Sequence, residues 1–176
     1  MGRPHEPRPR VVILGGGFAG FAAAKGLDAD RFHVELVDRR SALEFLPNIH
    51  ELLSGVKTPD LLRLPLEPAL SELGHRFTQD AVTSIDPAER TVTLEQGGDP
   101  LGYDALVVAL GGVDNTRGVA GVVSHAHSFK SVDDCARIGE RLAELDAGDG
   151  PARIVIIGGG LEGVEALGEI LRRYRG

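Results

Sequence analysis

The stretch RVVILGGGFAG at residues 10–20 decides the fold of this chain. Its first half is a short apolar run rich in β-branched residues, which is typical of a strand buried on both faces of a parallel sheet. Three glycines then lead into an alanine-rich segment, Phe18 to Leu27, that is compatible with a helix. A second apolar run, Phe32 to Val37, ends at the polar cluster Asp38-Arg39-Arg40. This order of strand, glycine turn, helix and strand predicts a parallel βαβ unit.

The glycines of this turn favour the binding of a dinucleotide. A pyrophosphate needs backbone N–H donors, and a helix N-terminus supplies them together with the positive end of the helix dipole. Gly15 would make the tight turn, Gly17 would let the phosphate approach, and Gly20 would let the helix pack on the strand. Asp38 follows 18 residues after Gly20, where an acid can accept the ribose hydroxyls. The alternative is a structural turn in an unrelated doubly wound sheet.

The same motif occurs a second time. Residues 10–27 and 153–170 align without a gap at an offset of 143, with eight identities in 18 positions. The glycine-rich segment at 147–152 marks a linker. We therefore predict a flexible tail over 1–9, a first nucleotide-binding domain over 10–146, and the first strand and helix of a second one over 153–176.

The region between the two motifs changes its periodicity. From Ser41 to Gly74 the pattern is helical but interrupted by prolines, which predicts several short helices. Residues from about 76 to 103 alternate instead, with turn residues between short runs, and this predicts a small antiparallel β-meander. Residues 105–110 read as a further buried strand and 133–145 as a helix.

Composition excludes several classes of protein. The net charge of −7 argues against nucleic acid as a partner, and no apolar run approaches the ~20 residues that cross a bilayer. Cys135 is the only cysteine, which excludes an internal disulfide framework and favours an inert buried thiol over a redox thiol. His125 and His127 have the spacing of metal ligands but no third ligand nearby, so we expect no metal site.

Five stretches carry a resemblance to a known family, and they are VILGGGFAG at 12–20, VDRR at 37–40, FLPNIHELLSG at 45–55, YDALVVALG at 103–111 and GGGLEGVE at 158–165. Together they resemble the two-dinucleotide-fold flavoproteins of the pyridine nucleotide-disulfide oxidoreductase superfamily, and most of all the type II NADH dehydrogenases (NADH:quinone oxidoreductases). The resemblance runs from about Arg10 to Arg173. It implies an α/β fold, a Rossmann-type three-layer FAD- and NAD(P)-binding architecture with the β-meander inserted. Residues 10–146 would bind FAD, and the second Rossmann unit would be truncated before its completion.

The resemblance also implies roles for individual residues. The FAD pyrophosphate would be surrounded by Gly15, Gly16, Gly17, Phe18, Ala19 and Gly20. Other FAD contacts would be Asp38 at the ribose, Arg39 and Val82 at the adenine, Ala109 and Gly111 beside the cofactor, and Pro47 near the isoalloxazine. The NAD(P)H pyrophosphate would be held by Gly158, Gly160 and Gly163. Glu165 matches a glutamate placed where nicotinamide meets flavin, with a role in binding or proton transfer, and is the candidate catalytic residue.

Three further positions bear on the predicted sites. Leu46 stands where many members of the family have a polar residue next to the flavin. Glu162 places a carboxylate inside the second glycine turn, where it would repel a pyrophosphate. His50 lies in the flavin-flanking segment, and a position on the helix surface is its favoured interpretation.

The function implied is FAD-dependent oxidation of NAD(P)H, with electrons passing to a quinone or a similar small acceptor. A homodimer is implied too, in a cytoplasmic protein that attaches peripherally to the membrane through a C-terminal part absent here. With the second nucleotide fold incomplete, the isolated 176-residue chain is not expected to be active, so the alternatives are a non-catalytic FAD-binding module and an inactive truncation product. Weaker ones are a sulfide:quinone reductase and a ferredoxin-reductase-like flavoenzyme.

Overall fold

The computed structural model describes residues 8–113, 115–148 and 150–174, so residues 1–7 of the predicted tail lie outside it. The described residues form two compact units. The first contains the residues up to Leu43 together with Leu64–Gly112, and the second contains Glu44–Arg63 together with the residues from Val113 onward. These units do not coincide with the predicted linker at 147–152, and the assignment of 10–146 and 153–176 to two nucleotide-binding domains stays a prediction.

The strands and helices follow in chain order. The strands are β1 (Arg10–Leu14), β2 (His33–Asp38), β3 (Ala42–Glu44), β4 (Arg63–Pro65), β5 (Arg76–Gln79), β6 (Val82–Asp86), β7 (Thr91–Leu94), β8 (Leu101–Gly102) and β9 (Ala105–Val108). The helices are α1 (Phe18–Lys25), α2 (Glu51–Ser54), α3 (Leu66–Glu72), α4 (Val122–His125), α5 (Val132–Asp146) and α6 (Leu161–Tyr174). Short 3₁₀ turns cover Leu46–Asn48 and Pro59–Leu62.

A parallel sheet of order β5-β2-β1-β9 forms the centre of the first unit. Along β1, Val11 and Ile13 pack with α1 and α3 on one face, because side chains of a strand alternate between faces. Val12 and Leu14 pack on the other face against the antiparallel meander β6-β7-β8. Helices, parallel sheet and meander are three layers, which confirms the predicted α/β architecture.

Two predicted strands differ in the structure. Residues 76–79 were expected in the meander, but β5 pairs parallel with β2, and the meander begins at Val82. Asp80 separates them, because its buried carboxylate accepts the N–H groups of Ala81 and Gln96 and turns the chain. The strand expected over 153–157 is absent: within the described part of the chain no strand pairs with these residues, and a strand without a ladder partner has no backbone hydrogen bonds.

The second unit is built on three helices. Its core lies between α2, α5 and α6 and consists of Ile49, Leu52, Leu53, Leu62, Val132, Cys135, Leu142, Ala166 and Ile170. Helix α5, predicted over 133–145, begins after Ser131, whose hydroxyl accepts the N–H of Asp134 as an N-cap. A Cβ on Gly139 would lie 2.8 Å from the carbonyl oxygen of Leu52, so α5 approaches α2 closely.

Candidate dinucleotide-binding sites

The first glycine turn follows β1 at the carboxyl edge of the parallel sheet. The N–H of Gly15 donates to the carbonyl oxygen of Val37 at 2.8 Å, and the N–H of Ala109 donates to that of Leu14 at 2.7 Å. Gly15 has a φ of +104°, and a Cβ there would collide with the carbonyl oxygen of Ala109. The turn is therefore wedged between the ends of β2 and β9, the position at which doubly wound sheets bind nucleotides.

Close packing at this turn requires Gly20 and places Gly16 against a side chain of α3. A Cβ on Gly20 would collide with the carbonyl oxygen of Gly15 and lie 3.3 Å from Cγ2 of Ile13. A Cβ on Gly16 would collide with the side chain of Leu66 on α3. The absence of these side chains lets the helix start directly against the turn.

The N-terminus of α1 is open to a ligand. Gly17 is its N-cap with no side-chain hydrogen bond, and a Cβ on this glycine would have nothing within 4 Å. Gly17, Phe18 and Ala19 are exposed, and the first turn of the helix contains no acidic residue. The first N–H groups of a helix have no partner within it, so a pyrophosphate fits at this end.

Asp38 ties the end of β2 to the turn. Its Oδ2 accepts the N–H of Gly16 at 2.6 Å, and its Oδ1 accepts the N–H of Arg40 at 2.8 Å. The spacing of Asp38 from the glycines predicted a ribose contact but gave no signal of this structural role. Each carboxylate oxygen has a second lone pair, so a contact with ribose hydroxyls stays a prediction that is compatible with both bonds.

Four other predicted residues lie at the same edge. Arg39 directly follows β2, Val82 follows β5 by three residues, and Ala109 and Gly111 follow β9. Gly111 is exposed with a φ of +76°. Since the carboxyl ends of parallel strands meet at one edge, the structure brings these residues to the edge that holds the first glycine turn.

The second glycine turn, in the second unit, has the same internal geometry as the first. Gly158 has a φ of +114°. A Cβ on Gly163 would collide with the carbonyl oxygen of Gly158 and lie 3.6 Å from Cγ2 of Ile156. A Cβ on Gly160 would have nothing within 4 Å, and the Val164 N–H donates to the Gly160 carbonyl at 3.1 Å.

Each of these relationships has its counterpart 143 residues earlier. The bond from Val164 to Gly160 matches the bond from Phe21 to Gly17 at 2.9 Å. The repeat seen in the sequence is therefore a repeat of backbone conformation as well.

Glu162 does not leave an isolated negative charge in the second turn. Nζ of Lys130 lies 2.6 Å from its Oε1, and both side chains are about half exposed (46% and 56%). The ion pair reduces the repulsion that the sequence predicted between this carboxylate and a pyrophosphate.

Pro47 and Glu165 also belong to the second unit. Pro47 is exposed in the 3₁₀ turn before α2, and Phe45 and Leu46 next to it are exposed apolar side chains. Glu165 lies on α6, with Oε2 3.9 Å from Nδ1 of His50. His50 was expected on a helix surface, but its Nδ1 is buried. The sequence gives no local signal of this contact, because the two residues are far apart in the chain.

Two other candidates are accounted for without ligand chemistry. Burial raises the pKa of the Cys135 thiol to about 12, and the nearby carboxylates of Asp134 and Glu44 act in the same direction. His125 ends α4, and nowhere in residues 8–113, 115–148 or 150–174 do three His, Cys, Asp or Glu side chains gather as a metal site would require.

A Rossmann-type parallel sheet with a glycine turn at its carboxyl edge defines a protein of the dinucleotide-binding class. The sequence profile of the pyridine nucleotide-disulphide oxidoreductase family matches residues 9–174, and the chain belongs to that family. No helix within the described residues is long and apolar enough to span a membrane.

Similarity to curated proteins and to a solved structure supports this membership. Demethylphylloquinone reductase NdbB of Synechocystis is 33% identical over 170 residues, which cover 91% of this chain and 42% of the relative. Type II NADH:quinone oxidoreductase of Staphylococcus aureus is 28% identical, covering 96% and 44%. The crystal structure of NADH:rubredoxin oxidoreductase from Clostridium acetobutylicum superposes with a TM-score of 0.78 at 25% identity, covering 95% and 43%. The chain spans less than half the length of the two curated relatives.

Proposed function

We propose that the protein is an FAD-dependent NAD(P)H oxidoreductase that passes electrons to a quinone or a similar small acceptor. The observation that carries this proposal is the duplicated turn, since Gly15–Gly20 and Gly158–Gly163 share one backbone geometry. Two nucleotide sites are what a hydride transfer from NAD(P)H to a bound flavin requires. FAD, when bound, supplies an acceptor for the hydride and a donor of two electrons.

In this proposal the first turn holds the FAD pyrophosphate. Gly17 and Ala19 are exposed, and the backbone N–H groups at this end of α1 would serve as donors at the positive end of its dipole. Asp38 keeps the turn in place through the Gly16 N–H, so the donors are fixed before the ligand arrives. Arg39 and Val82 would then lie toward the adenine, and Ala109 and Gly111 along the rest of the cofactor.

The second turn holds the NAD(P)H pyrophosphate in the same way, through the backbone of Gly158, Gly160 and Gly163. Lys130 offsets the charge of Glu162 beside this site. Glu165, one turn further along α6, would be the residue to hold or release a proton near the nicotinamide, and the flavin contact of Pro47 stays a prediction of the resemblance.

The quinone acceptor follows from the relatives, whose names are those of quinone reductases and oxidoreductases. The homodimer and the peripheral attachment to the cytoplasmic face of a membrane stay predictions of the resemblance.

One observation favours a second candidate, a non-catalytic FAD-binding module. Residues 153–157 form no strand, and Val155 and Ile157 are 73% and 64% exposed, so within the described residues no sheet supports the second turn as one supports the first.

The two candidates are separated by titrating the purified chain with FAD and then measuring oxidation of NADH with a soluble quinone. The enzyme binds FAD and oxidises NADH, whereas the module only binds FAD. Gly17→Val should abolish FAD binding, because the added methyl groups occupy the space that the pyrophosphate needs. Gly160→Val is its matched control, which should retain FAD but lose the oxidation of NADH. Undiminished FAD binding by Gly17→Val would show that the first site is misassigned.

A further inference from the structure

Two polar contacts join α2 to α6. His50, the N-cap of α2, faces Glu165, and the hydroxyl of Ser54 donates to Glu169. The partners are four residues apart on each side, and residues at this spacing share one face of a helix. One face of α2 therefore lies along one face of α6, and His50 is directed at Glu165 by the packing of the two helices.

Among the described residues, the Nδ1 of His50 is a buried polar atom that still needs a partner. As the N-cap of α2, His50 makes no side-chain hydrogen bond to the helix. Its Nδ1 is buried with no hydrogen-bond partner among the described residues, although the side chain keeps 20% of its surface exposed. A buried polar nitrogen without a partner is destabilising, so a nearby hydrogen-bond partner is needed, and an acceptor satisfies the nitrogen when it carries the proton.

Glu165 is the carboxylate available for this role. Glu51, next to His50, already accepts a hydrogen bond from Asn48 at 2.9 Å and pairs with Lys57 at 2.8 Å. Hydrogen bonds from Lys57 and Asn48 lower the pKa of Glu51, whose charge is thus satisfied locally.

The other side chains that pack against α2 also leave Glu165 as the partner of His50. Glu169 is engaged by Ser54, and α5 turns an apolar face with Cys135, Ile138 and Leu142 toward the core it shares with α2.

We infer that His50 is a positioning residue for Glu165: the Nδ1–H of its ring donates to the Glu165 carboxylate and fixes the direction in which that carboxylate points. The present separation of 3.9 Å is an ion-pair distance and longer than a hydrogen bond. The side chain of Glu165 is flexible and 35% exposed. A rotation about its bonds can therefore bring the carboxylate within hydrogen-bond distance of Nδ1. What this does for the reaction rests on the proposed function, but the contact itself does not.

The contact determines which ring nitrogen carries the proton. A carboxylate at Nδ1 selects the Nδ1–H tautomer of a neutral imidazole, because only that form can donate to it. This tautomer is visible in the nitrogen chemical shifts of the ring, and its dependence on the residue at position 165 distinguishes this contact from any other.

The first experiment measures the tautomer of His50 by NMR of the ¹⁵N-labelled chain at alkaline pH, where imidazoles are neutral. His50→Asn identifies the signal by its loss. We expect the Nδ1–H form in the unmodified chain and in Glu165→Gln, whose amide oxygen still accepts. Glu165→Leu should convert the ring to the Nε2–H form, whereas Glu169→Gln, at the neighbouring contact, should not. An Nε2–H ring in the unmodified chain, or no change in Glu165→Leu, would overturn the inference.

The second experiment compares NADH oxidation by His50→Leu and His50→Asn with FAD and a soluble quinone. We expect kcat to fall by roughly tenfold in the leucine variant, with FAD affinity unchanged, because misplaced groups slow a reaction more than they weaken binding. Asparagine places an amide N–H near the position of Nδ1 and should recover most of the rate. Full activity in the leucine variant would contradict a positioning role. If the unmodified chain oxidises no NADH, the proposed function fails, and the tautomer measurement still decides the contact.

Discussion

The carbonyl oxygen of Gly15 occupies the place where a Cβ on Gly20 would have to lie. The same relationship holds between Gly158 and Gly163. In both turns, therefore, the fifth residue after the first glycine of the turn must itself be glycine for the helix to pack. The glycines at 17 and 160 face open space instead, so packing does not require them, and only a close ligand would.

Gly20→Ala should destabilise the chain. Its methyl group collides with backbone, which cannot give way as a side chain can, and we expect the free energy of unfolding to fall by about 1–3 kcal/mol. Gly17→Ala is the matched control, because its methyl group meets nothing within 4 Å and the φ of −74° suits any residue. Urea unfolding followed by circular dichroism compares the two. Equal losses would contradict the division between packing and binding glycines.

Asp38→Ala should weaken the turn even without a ligand. It removes the acceptor of the N–H of Gly16, a buried donor, and that of the N–H of Arg40. We expect a loss of about 1–3 kcal/mol in the free energy of unfolding and weaker FAD binding as well. Asp38→Asn keeps one acceptor oxygen and should lose less. A stable alanine variant with weak FAD binding would instead assign Asp38 to the ribose alone.

The Lys130–Glu162 pair should modulate affinity for NADH at the second turn. Lys130→Met leaves the carboxylate of Glu162 uncompensated and should weaken binding by about two- to fivefold, the range of an exposed pair. Glu162→Gln should strengthen binding, and the double variant should return near the original affinity. Added salt should narrow all these differences, since both side chains are about half exposed. Titration of NADH fluorescence at two salt concentrations is the measurement.

Cys135 should make the chain less stable at alkaline pH. Its pKa is raised to about 12 in the folded chain, against about 8.5 for an exposed thiol. Between these values the folded state keeps the proton and the unfolded state releases it, so stability falls as the pH rises from about 8.5 toward 12.

Unfolding curves across this pH range test the effect. In the control Cys135→Ala, the free energy of unfolding should fall less steeply with pH. The thiol should also react slowly with a disulfide reagent until denaturant is added. Rapid reaction of the folded chain would contradict burial as the cause.

The glycine turns and the layered sheet could be predicted from sequence because both are local. The glycine spacing that begins at Gly15 and again at Gly158 can be recognised within about twenty positions of sequence. The same holds for apolar strands that end at turn residues. The alternation near residue 77 was equally local but ambiguous, since it does not say which neighbour the strand will pair with. Only the turn fixed by Asp80 separates β5 from the meander.

The contact between His50 and Glu165 could not be predicted in this way. It depends on α2 lying along α6, and these helices are brought together by a core that joins distant parts of the chain. The strand expected at 153–157 shows the opposite case: its residues have the right composition, but strand structure requires a partner, which composition does not supply.

The excursion of Glu44–Arg63 out of the first unit sets the order in which the protein can fold during its synthesis. Leu62 belongs to a core whose next member along the chain, Val132, is made 70 residues later. At roughly 5–20 residues per second, the ribosome needs about 4–14 s to deliver it. During that interval the leucines of α2 have no core to enter, while the partners of β1 are already emerging. The nascent chain thus presents an apolar segment for seconds, in the middle of a unit that is otherwise ready to close.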